Sequence, residues 1–495
     1  MTNETGVTLA SRNQTNAPLL TSTAATSVLN ECEHLPERVT EYRVYSVRWM
    51  ILAAVALSNF TNAFCWICFA SVSTLTNEYF NSENASFYLS YIFIFATIPI
   101  ALLAIPTSDV IGLKNSIWIA AACNGVGNII RMASIFTDGY KLPLMYIGTA
   151  IAAFAYPWIM FLPPKVSGTW FPTNQRAIAT AIGIMANPLG VMMANVISPL
   201  VINDPQHVPY IVYIVGIPAV LAMFISFIFV HRNTPAIPPA ATSVKTSVPY
   251  WEGLKECFSN VQYLVILTVL GGGIGMFNTL YTVMNGMLCS SGYSTTISGT
   301  CAALMVTGGI FGSVASGIFV DRTKKFGLTI KVALTMAVIF GIGFVYLAYI
   351  PNITPLLILS AIVFGFFGLS AYPTGLELAA ECTYPVSEGI SAGFIVLAGQ
   401  IYSVILGFGM NALSTKATGE REHIQTCYAK TTDTLFALDY WYANMFVAGI
   451  ASSFALICLI FLRPVLKRTM ADKLSSPSVV IEEGTPLSET TAIRS

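Results

Sequence analysis

"FPTNQRAIATAIGIMAN" (residues 171–187) has a counterpart in the second half of the chain, "YPVSEGISAGFIVLAGQ" (residues 384–400). Both stretches have Pro at the second position and Ala at the ninth, and both continue into a long uncharged run. Internal repeats of this kind are typical of membrane transporters that are built from two related halves. The repeat therefore predicts two similar halves, and it aligns Asn187 with Gln400.

The composition indicates a membrane protein. Of the 495 residues, 55% are hydrophobic and only 10% are charged, and the mean hydropathy is +0.68. A soluble protein has about 25% charged residues, whereas a membrane-spanning helix needs roughly 20 mostly apolar residues. We therefore predict an all-α membrane protein with twelve transmembrane helices in two pseudo-symmetric six-helix bundles. The twelve predicted spans lie at about residues 48–75, 86–107, 115–136, 142–163, 177–201, 209–230, 261–288, 299–319, 329–350, 355–376, 389–413 and 441–463.

The predicted domains follow from these spans. Residues 47–230 form the N-terminal bundle, and residues 261–463 form the C-terminal bundle. The Pro-rich linker between them, residues 231–260, contains "YWEGLKECF", which has the pattern of a short amphipathic helix at the membrane surface.

Positive charges predict the orientation. With the N-terminus inside, nineteen of the 24 Lys and Arg residues lie on the cytosolic side, as the positive-inside rule requires. The polar ends, residues 1–46 and 464–495, are then disordered cytosolic tails.

The sequons at Asn84 and Asn352 fall in external loops and are predicted glycosylation sites. "APLL" (residues 17–20) lacks the acidic residue of a strong lysosomal sorting signal, so the plasma membrane is favoured over the lysosome or another organelle.

Asn187 and Gln400 are candidate substrate-binding residues. Each lies about eleven residues into its span, which at 1.5 Å per residue is roughly 16 Å deep and near the middle of a bilayer core of about 30 Å. Transporters with two related halves bind substrate at this depth, although both amides could instead hold neighbouring helices together. Pro188 is expected to loosen its turn, and the glycines of "GGGIGMFN" (residues 271–278) predict a gating break near Asn278.

The polar groups of the first and third spans have simple interpretations. "CWIC" (residues 65–68) has the CxxC spacing, but it lies in a membrane helix, so both cysteines are interpreted as small buried fillers. Arg131, near the outer end of the third span, is expected to extend toward the membrane surface. Cys289 and Cys301 flank an external loop and Cys427 lies in another, so a 289–301 disulfide and the two other pairings are all open.

"GIFVDRTKKFG" (residues 317–327) resembles the cytosolic loop signature of the major facilitator superfamily, with Asp321 and Arg322 in place. The first-half copy, "AIPTSDVIGLK" (residues 104–114), keeps Asp109 but has no Arg after it. The resemblance implies transport by alternating access, in which Asp109, Asp321 and Arg322 act as cytosolic gates. Helix capping combined with the positive-inside rule is the alternative explanation for these residues.

Longer stretches, among them "YRVYSVRWMILAAVALSNFTNAFCW" (residues 42–66) and "ELAAECTYPVSEGISAG" (residues 377–393), are similar to solute carrier family 49. This is the feline leukemia virus subgroup C receptor-related family, to which heme, choline and ethanolamine transport are ascribed. The resemblance covers about residues 42–463. It implies a cage of aromatic and amide side chains around a quaternary ammonium group, with Trp66 and Gln400 at two of the cage positions.

Two cage positions depart from the family pattern. The family's "NQLG" is "NPLG" here, so that Pro188 replaces a Gln after Asn187, and the family's helix 7 Tyr falls at about Asn278, with Tyr281 one turn away. The predicted substrate-binding residues are Trp66, Asn187, Asn278, Tyr281 and Gln400.

We therefore predict a transporter of a small organic solute, an amine like choline or ethanolamine or a heme-related compound. The central spans lack acidic and His residues near their middles, which favours facilitated movement over proton coupling. Heme bound by the chain would need an axial ligand such as His, and the four His lie in tails or loops. The expected partners are the solute and the lipid bilayer, with no nucleic acid, and the chain is expected to be a monomer. We predict no enzyme activity, cofactor or metal; the alternative function is a non-transporting receptor or sensor.

Overall fold

The computed structural model describes residues 44–137, 139–172, 175–237, 248–416, 438–467 and 470. Most of both predicted tails lies outside these residues. The helices are α1 (Val47–Ile67), α2 (Ser73–Tyr79), α3 (Ala85–Ile111), α4 (Leu113–Ser134), α5 (Lys141–Ala153), α6 (Ala155–Trp170), α7 (Arg176–Val201), α8 (Val208–Phe229), α9 (Tyr250–Ser259), α10 (Val261–Cys289), α11 (Thr295–Thr323), α12 (Phe326–Ala348), α13 (Thr354–Thr383), α14 (Glu388–Leu413) and α15 (Trp441–Phe461). Two short strands, β1 (Thr415–Lys416) and β2 (Leu438–Asp439), pair antiparallel and join the ends of the predicted loop between α14 and α15.

Eleven stretches of the described residues are helical, long and apolar enough to cross a membrane. The predicted third span is α4, whose composition is more polar because it contains Asn124, Asn128 and Arg131. All three side chains are buried inside the protein, so they do not face lipid. With α4 included, the described helices match the twelve predicted spans, of which the first comprises α1 and α2 and the fourth comprises α5 and α6.

Two of the twelve spans are interrupted, which the charge pattern did not predict. Between α5 and α6 the helix breaks at Phe154. Pro157 lies three residues later, in the first turn of α6. It has no amide hydrogen to donate to the carbonyl of Ala153, which weakens the helix at this point. Between α1 and α2 the hydroxyl of Ser71 donates to the carbonyl of Ile67 at 3.2 Å. That carbonyl is the one a continuing helix would use.

The expected gating break near Asn278 is wrong, because α10 is continuous from Val261 to Cys289. The glycines of α10 serve close packing instead. A Cβ atom added to Gly275 would lie 2.8 Å from the backbone nitrogen of Ser403 on α14, and one added to Gly272 would overlap the ring of Phe454 on α15. The third glycine, Gly273, has open space around it. The glycine run therefore allows α10 to approach two neighbouring helices.

The buried apolar residues form two large clusters at different heights along the helices. We call the end at which α2 meets α3 and α10 meets α11 the outer end, after the predicted orientation. The outer cluster includes Trp66 and Tyr281, and the inner cluster includes Trp158 and Leu270. Each cluster contains residues from both halves of the chain. Buried polar side chains lie between the clusters, namely Asn59, Asn62, Asn124, Gln400 and Ser403.

Candidate functional site

Trp66 and Gln400, the two predicted cage residues, are joined through two side chains that sequence reasoning missed. The ring of Trp66 stacks on Phe93 of α3 with centroids 6.3 Å apart. Phe93 in turn meets Tyr156 of α6 edge to face at 6.2 Å, and Gln400 Nε2 on α14 donates to the Tyr156 hydroxyl at 3.4 Å. The structure thereby brings four helices together at these residues. We call Trp66, Phe93, Tyr156 and Gln400 the aromatic–amide chain.

The aromatic–amide chain is uncharged and largely closed to solvent. Trp66 has 8% of its surface exposed and Gln400 has 4%. The indole nitrogen of Trp66 is buried and has no hydrogen-bond partner among the described residues. An indole N–H is a donor only, so this group is left available to an acceptor that enters the site.

Asn187 makes a contact between helices. Its Nδ2 donates to Asn59 Oδ1 on α1 at 3.1 Å, and Asn59 Nδ2 donates to the carbonyl of Gly183 on α7 at 2.9 Å. This pair of bonds ties α1 to α7, which is the packing role that the sequence left open. Pro188 does not interrupt α7, which is continuous from Arg176 to Val201. The side chain of Asn187 remains partly exposed.

Asn278 and Tyr281 lie on α10, in the half of the chain opposite Trp66. Tyr281 has 6% of its surface exposed, and its hydroxyl has no hydrogen-bond partner among the described residues. Its ring lies 6.0 Å from that of Phe277, which stacks on Phe364 at 5.0 Å. Asn278 is partly buried, and its carbonyl accepts from Thr282. Tyr281 therefore belongs to the outer apolar cluster, together with Trp66.

The two halves of the chain are in close contact at the outer end. Asn285 Nδ2 donates to Ser73 Oγ at 3.0 Å, and the ring of Tyr91 on α3 lies 5.5 Å from that of Phe408 on α14. The inner apolar cluster also contains residues of both halves. The two halves therefore meet at both heights.

The proposed cytosolic gates are described only in part. The backbone of Asp109 lies in the last turn of α3 and that of Asp321 near the end of α11, but both side chains are outside the described residues. Arg322 is exposed. Lys324 has a φ of 54°, in the left-handed region, and ends α11. The gating role of these residues stays a prediction.

The remaining predicted positions have mixed outcomes. Asn84 and Asn352 are both exposed and lie in connections at the outer end, and their glycosylation stays a prediction.

The 289–301 disulfide is wrong, since Cys289 is disulfide-bonded while Cys301 is a free thiol. Of the three pairings considered, only the one with Cys427 remains, and Cys427 lies outside the described residues.

The expected position of Arg131 is also wrong. Its side chain does not reach the membrane surface but is fully buried between α4 and α1. It contacts Cys65 and Cys68, the two cysteines of "CWIC". Sequence reasoning treated the arginine and the cysteines separately, because their proximity depends on how α1 packs against α4. Among the described residues, no group of three His, Cys, Asp or Glu side chains could hold a metal ion.

The family profile of the Major Facilitator Superfamily matches residues 55–407. Solute carrier family 49 member A3 from Xenopus tropicalis is 33% identical over 403 residues, which covers 79% of this chain and 81% of that protein. The chain belongs to solute carrier family 49 of the Major Facilitator Superfamily. An uncharacterized protein from Caenorhabditis elegans is 44% identical and covers 88% of this chain and 86% of its own length.

Other comparisons agree with the Major Facilitator Superfamily fold. The choline/ethanolamine transporter FLVCR2 from Rattus norvegicus is 27% identical over 380 residues, which covers 73% of this chain and 68% of that protein. The crystal structure of a D-xylose-proton symporter superposes with a TM-score of 0.62 at 14% identity and covers 85% of this chain and 99% of its own. The chain is thus a multi-pass membrane transporter of this superfamily, with the predicted fold confirmed.

Proposed function

We propose that the chain carries a small amine of the choline or ethanolamine type across the membrane by facilitated alternating access. The observation that carries this proposal is the aromatic–amide chain, which links Trp66 in the first half to Gln400 in the second. An aromatic face attracts an organic cation by about 2 kcal/mol or more when water is excluded. Both ends of the chain of contacts are nearly closed to solvent.

Each member of the site has a role in this proposal. The faces of Trp66 and Phe93 receive the ammonium group, and the phenol ring of Tyr156 meets the edge of Phe93. The amide of Gln400 and the free indole N–H of Trp66 are available to the solute hydroxyl. The relationship to a choline/ethanolamine transporter supports the substrate class. A heme-related solute is the less favoured substrate, because no His lies among these four residues.

Domains and membrane location are part of the proposal. Residues 47–230 and 261–463 are the two bundles that rock against each other, joined by the 231–260 linker. Asp109, Asp321 and Arg322 form the cytosolic gate. Asn187, Asn278 and Tyr281 line the path of the solute beside the aromatic–amide chain. The tails lie in the cytosol, and the plasma membrane is the expected location.

The test is uptake of labelled choline and ethanolamine by cells that express the full chain, compared with Trp66→Ala and Trp66→Phe at equal surface level. We expect saturable uptake, loss of uptake with Trp66→Ala and partial retention with Trp66→Phe, since Phe keeps an aromatic face. Trp251→Ala is the matched control, because Trp251 on α9 is 75% exposed and lies outside the site. Uptake that is insensitive to Trp66→Ala would contradict the proposed site.

The same experiment addresses the alternative function. A receptor or sensor that does not transport would give no saturable uptake of any solute while still reaching the cell surface. Saturable uptake of either amine, however small, excludes a purely non-transporting role. Absence of uptake for both amines would overturn the proposed substrate class.

A further inference from the structure

A buried arginine faces two cysteines inside the first half of the chain. Arg131 is fully buried, its Nη1 donates to Cys65 Sγ, and its Nη2 lies 3.3 Å from Cys68 Sγ. Nη1 also reaches the Cys65 carbonyl and Asn128 Oδ1, each at the longer distance of 3.4 Å. The guanidinium carbon lies 5.1 Å from the ring centroid of Phe69. Nε is buried and has no hydrogen-bond partner among the described residues.

This environment is unusual for a buried charge. Removing a guanidinium from water costs several kcal/mol unless charged or strongly accepting groups compensate it, and no carboxylate among the described residues pairs with Arg131. Both of its terminal nitrogens point at sulfur. A thiol is a weak acceptor, whereas a thiolate is a strong one. A neighbouring cation favours the thiolate, while burial opposes it, and here both sulfurs are buried, with Cys65 2% and Cys68 0% exposed. The arrangement is therefore more than the packing of small fillers.

We propose that Cys65 and Cys68 form a redox-active dithiol, which hydrogen peroxide oxidises to a disulfide, and that Arg131 is the positioning residue that holds both sulfurs together. Both cysteines are free thiols in this structure. The fork of the guanidinium contacts both sulfurs at once, so it places them on the same side of α1.

The chemistry takes place in two steps. One sulfur, as the thiolate, attacks a peroxide oxygen, so that an S–O bond forms, the O–O bond breaks and hydroxide leaves to take up a proton as water. The second sulfur then attacks the resulting sulfenic acid, so that the S–S bond forms, the S–O bond breaks and a second water leaves. Two thiols and one peroxide thus give one disulfide and two waters. A dithiol reductant reverses the change.

Oxidation would alter the end of α1, which carries Trp66 between the two cysteines. In an α-helix, Cβ atoms three residues apart are about 5–6 Å from each other, whereas a disulfide needs about 3.5–4.5 Å. The turn must therefore tighten toward the geometry of a 3₁₀-helix, in which such residues eclipse. α1 already gives way to a 3₁₀ turn at Ala70–Val72. Tightening would shift Trp66 relative to Phe93, and this consequence rests on the proposed function.

The first measurement needs no substrate. The purified full chain in lipid nanodiscs is titrated with hydrogen peroxide, the remaining thiols are alkylated, and the peptides are analysed by mass spectrometry. We expect Cys65 and Cys68 to lose alkylation together, at peroxide concentrations severalfold below those that affect Cys301 and Cys458, which are buried free thiols. Their peptide should carry two hydrogens fewer than the reduced form. Equal sensitivity of the four thiols would overturn the proposal.

Cys257 is a further internal control, because it is a buried free thiol on the short helix α9, away from Arg131. Arg131→Gln should slow oxidation of the pair severalfold, and Arg131→Lys should retain part of the wild-type rate, since Lys keeps the charge but lacks the fork. If either variant fails to fold, the comparison of thiols within the wild-type chain still decides the question.

The second measurement links the dithiol to transport. Peroxide should lower choline uptake by the wild-type chain severalfold, and a dithiol reductant should restore it. Uptake by a chain with both Cys65→Ser and Cys68→Ser should not respond to peroxide. Disulfide formation without an effect on uptake would refute the coupling. Disulfide formation in a chain that takes up neither amine would instead leave the dithiol in place and refute the proposed function.

Discussion

The side-chain amide of Asn285 donates a hydrogen bond to the hydroxyl of Ser73 at 3.0 Å, and this bond connects the two halves of the chain at the outer end. Asn285 lies near the end of α10, and Ser73 begins α2, directly after the interruption of the first span. The bond is part of the contact between the two halves at this end. A carrier that alternates its access must break it in every cycle.

We expect Asn285→Ala and Ser73→Ala each to lower the apparent melting temperature of the detergent-solubilised chain. A buried hydrogen bond contributes about 0.5–1.5 kcal/mol. Because both changes remove the same bond, the double variant should be little worse than either single variant. Asn411→Ala, at an exposed position near the outer end of α14, is the control and should change nothing. Fully additive effects would show that the two side chains act independently.

Two neighbouring glycines of α10 should respond in opposite ways to the same substitution. A Cβ atom at Gly275 would lie 2.6 Å from Tyr402 Cβ, whereas nothing lies within 4 Å of one at Gly273. Overpacking typically costs 1–3 kcal/mol, so about that much destabilisation is expected for Gly275→Ala. Gly273→Ala should be neutral or stabilising, since Ala favours the helix by about 1 kcal/mol. Thermal unfolding of both variants checks this, and equal effects would contradict the packing described for α10.

Tyr156 gives a more selective test of the site than Gln400 does. Tyr156→Phe keeps the edge-to-face contact with Phe93 and removes only the hydroxyl that accepts from Gln400. We expect KM for choline to rise about 2- to 10-fold, which corresponds to one hydrogen bond of about 0.5–1.5 kcal/mol, with little change in surface level. Concentration-dependent uptake measures the effect. An unchanged KM would mean that the Gln400 amide does not need this partner to bind the solute.

Glycosylation tests the orientation. If the outer end faces the lumen during synthesis, Asn84→Gln and Asn352→Gln should each raise the electrophoretic mobility by one glycan step, and treatment with a glycosidase should make all variants migrate alike. Asn352 has a φ of 65° and both side chains are exposed, which suits an acceptor in a loop. Variants at Asn3 and Asn13, whose sequons lie in the predicted cytosolic tail, are the controls. Glycans at those positions instead would reverse the predicted orientation.

The disulfide of Cys289 should pair it with Cys427. Peptide mapping without reduction should find these two cysteines linked, and Cys301 should be alkylated as a free thiol after denaturation. Cys289→Ser should free Cys427, whereas Cys301→Ser should leave the disulfide in place. A link from Cys289 to Cys32 would place the N-terminal tail on the same side as the outer end and would overturn the orientation as well.

The helices were predicted well from the sequence, because a helix that crosses a bilayer needs a long run of apolar, uncharged residues. It failed where the outcome depends on which neighbour a side chain meets. Arg131 was expected at the membrane surface because its position along α4 suggested it, yet α1 presents two sulfurs and a carbonyl to it. Asn278 was expected to mark a break in α10. Instead, α15 and α14 pack closely against Gly272 and Gly275, and the helix continues through them.

The residues of the candidate site were predicted only in part, because their contacts also depend on how the helices pack. Trp66 was identified through the family resemblance, and Gln400 through the internal repeat as well as the resemblance. Phe93 and Tyr156, which connect them, were missed. Tyr156 could have been noticed, because it stands directly before Pro157 in a span whose helix that proline interrupts. Phe93 gives no such signal, since it is one of several aromatic residues in an apolar run. Only the packing of α1, α3, α6 and α14 selects it.

The division of the apolar core into an outer and an inner cluster has a mechanical consequence. Each cluster draws on both halves of the chain, and polar side chains lie between them. Water that enters through one cluster meets amides and hydroxyls at mid-height, where it is stabilised, and not the apolar contacts of the other cluster. In the proposed transport cycle, one cluster can therefore separate while the apolar contacts of the other remain in place.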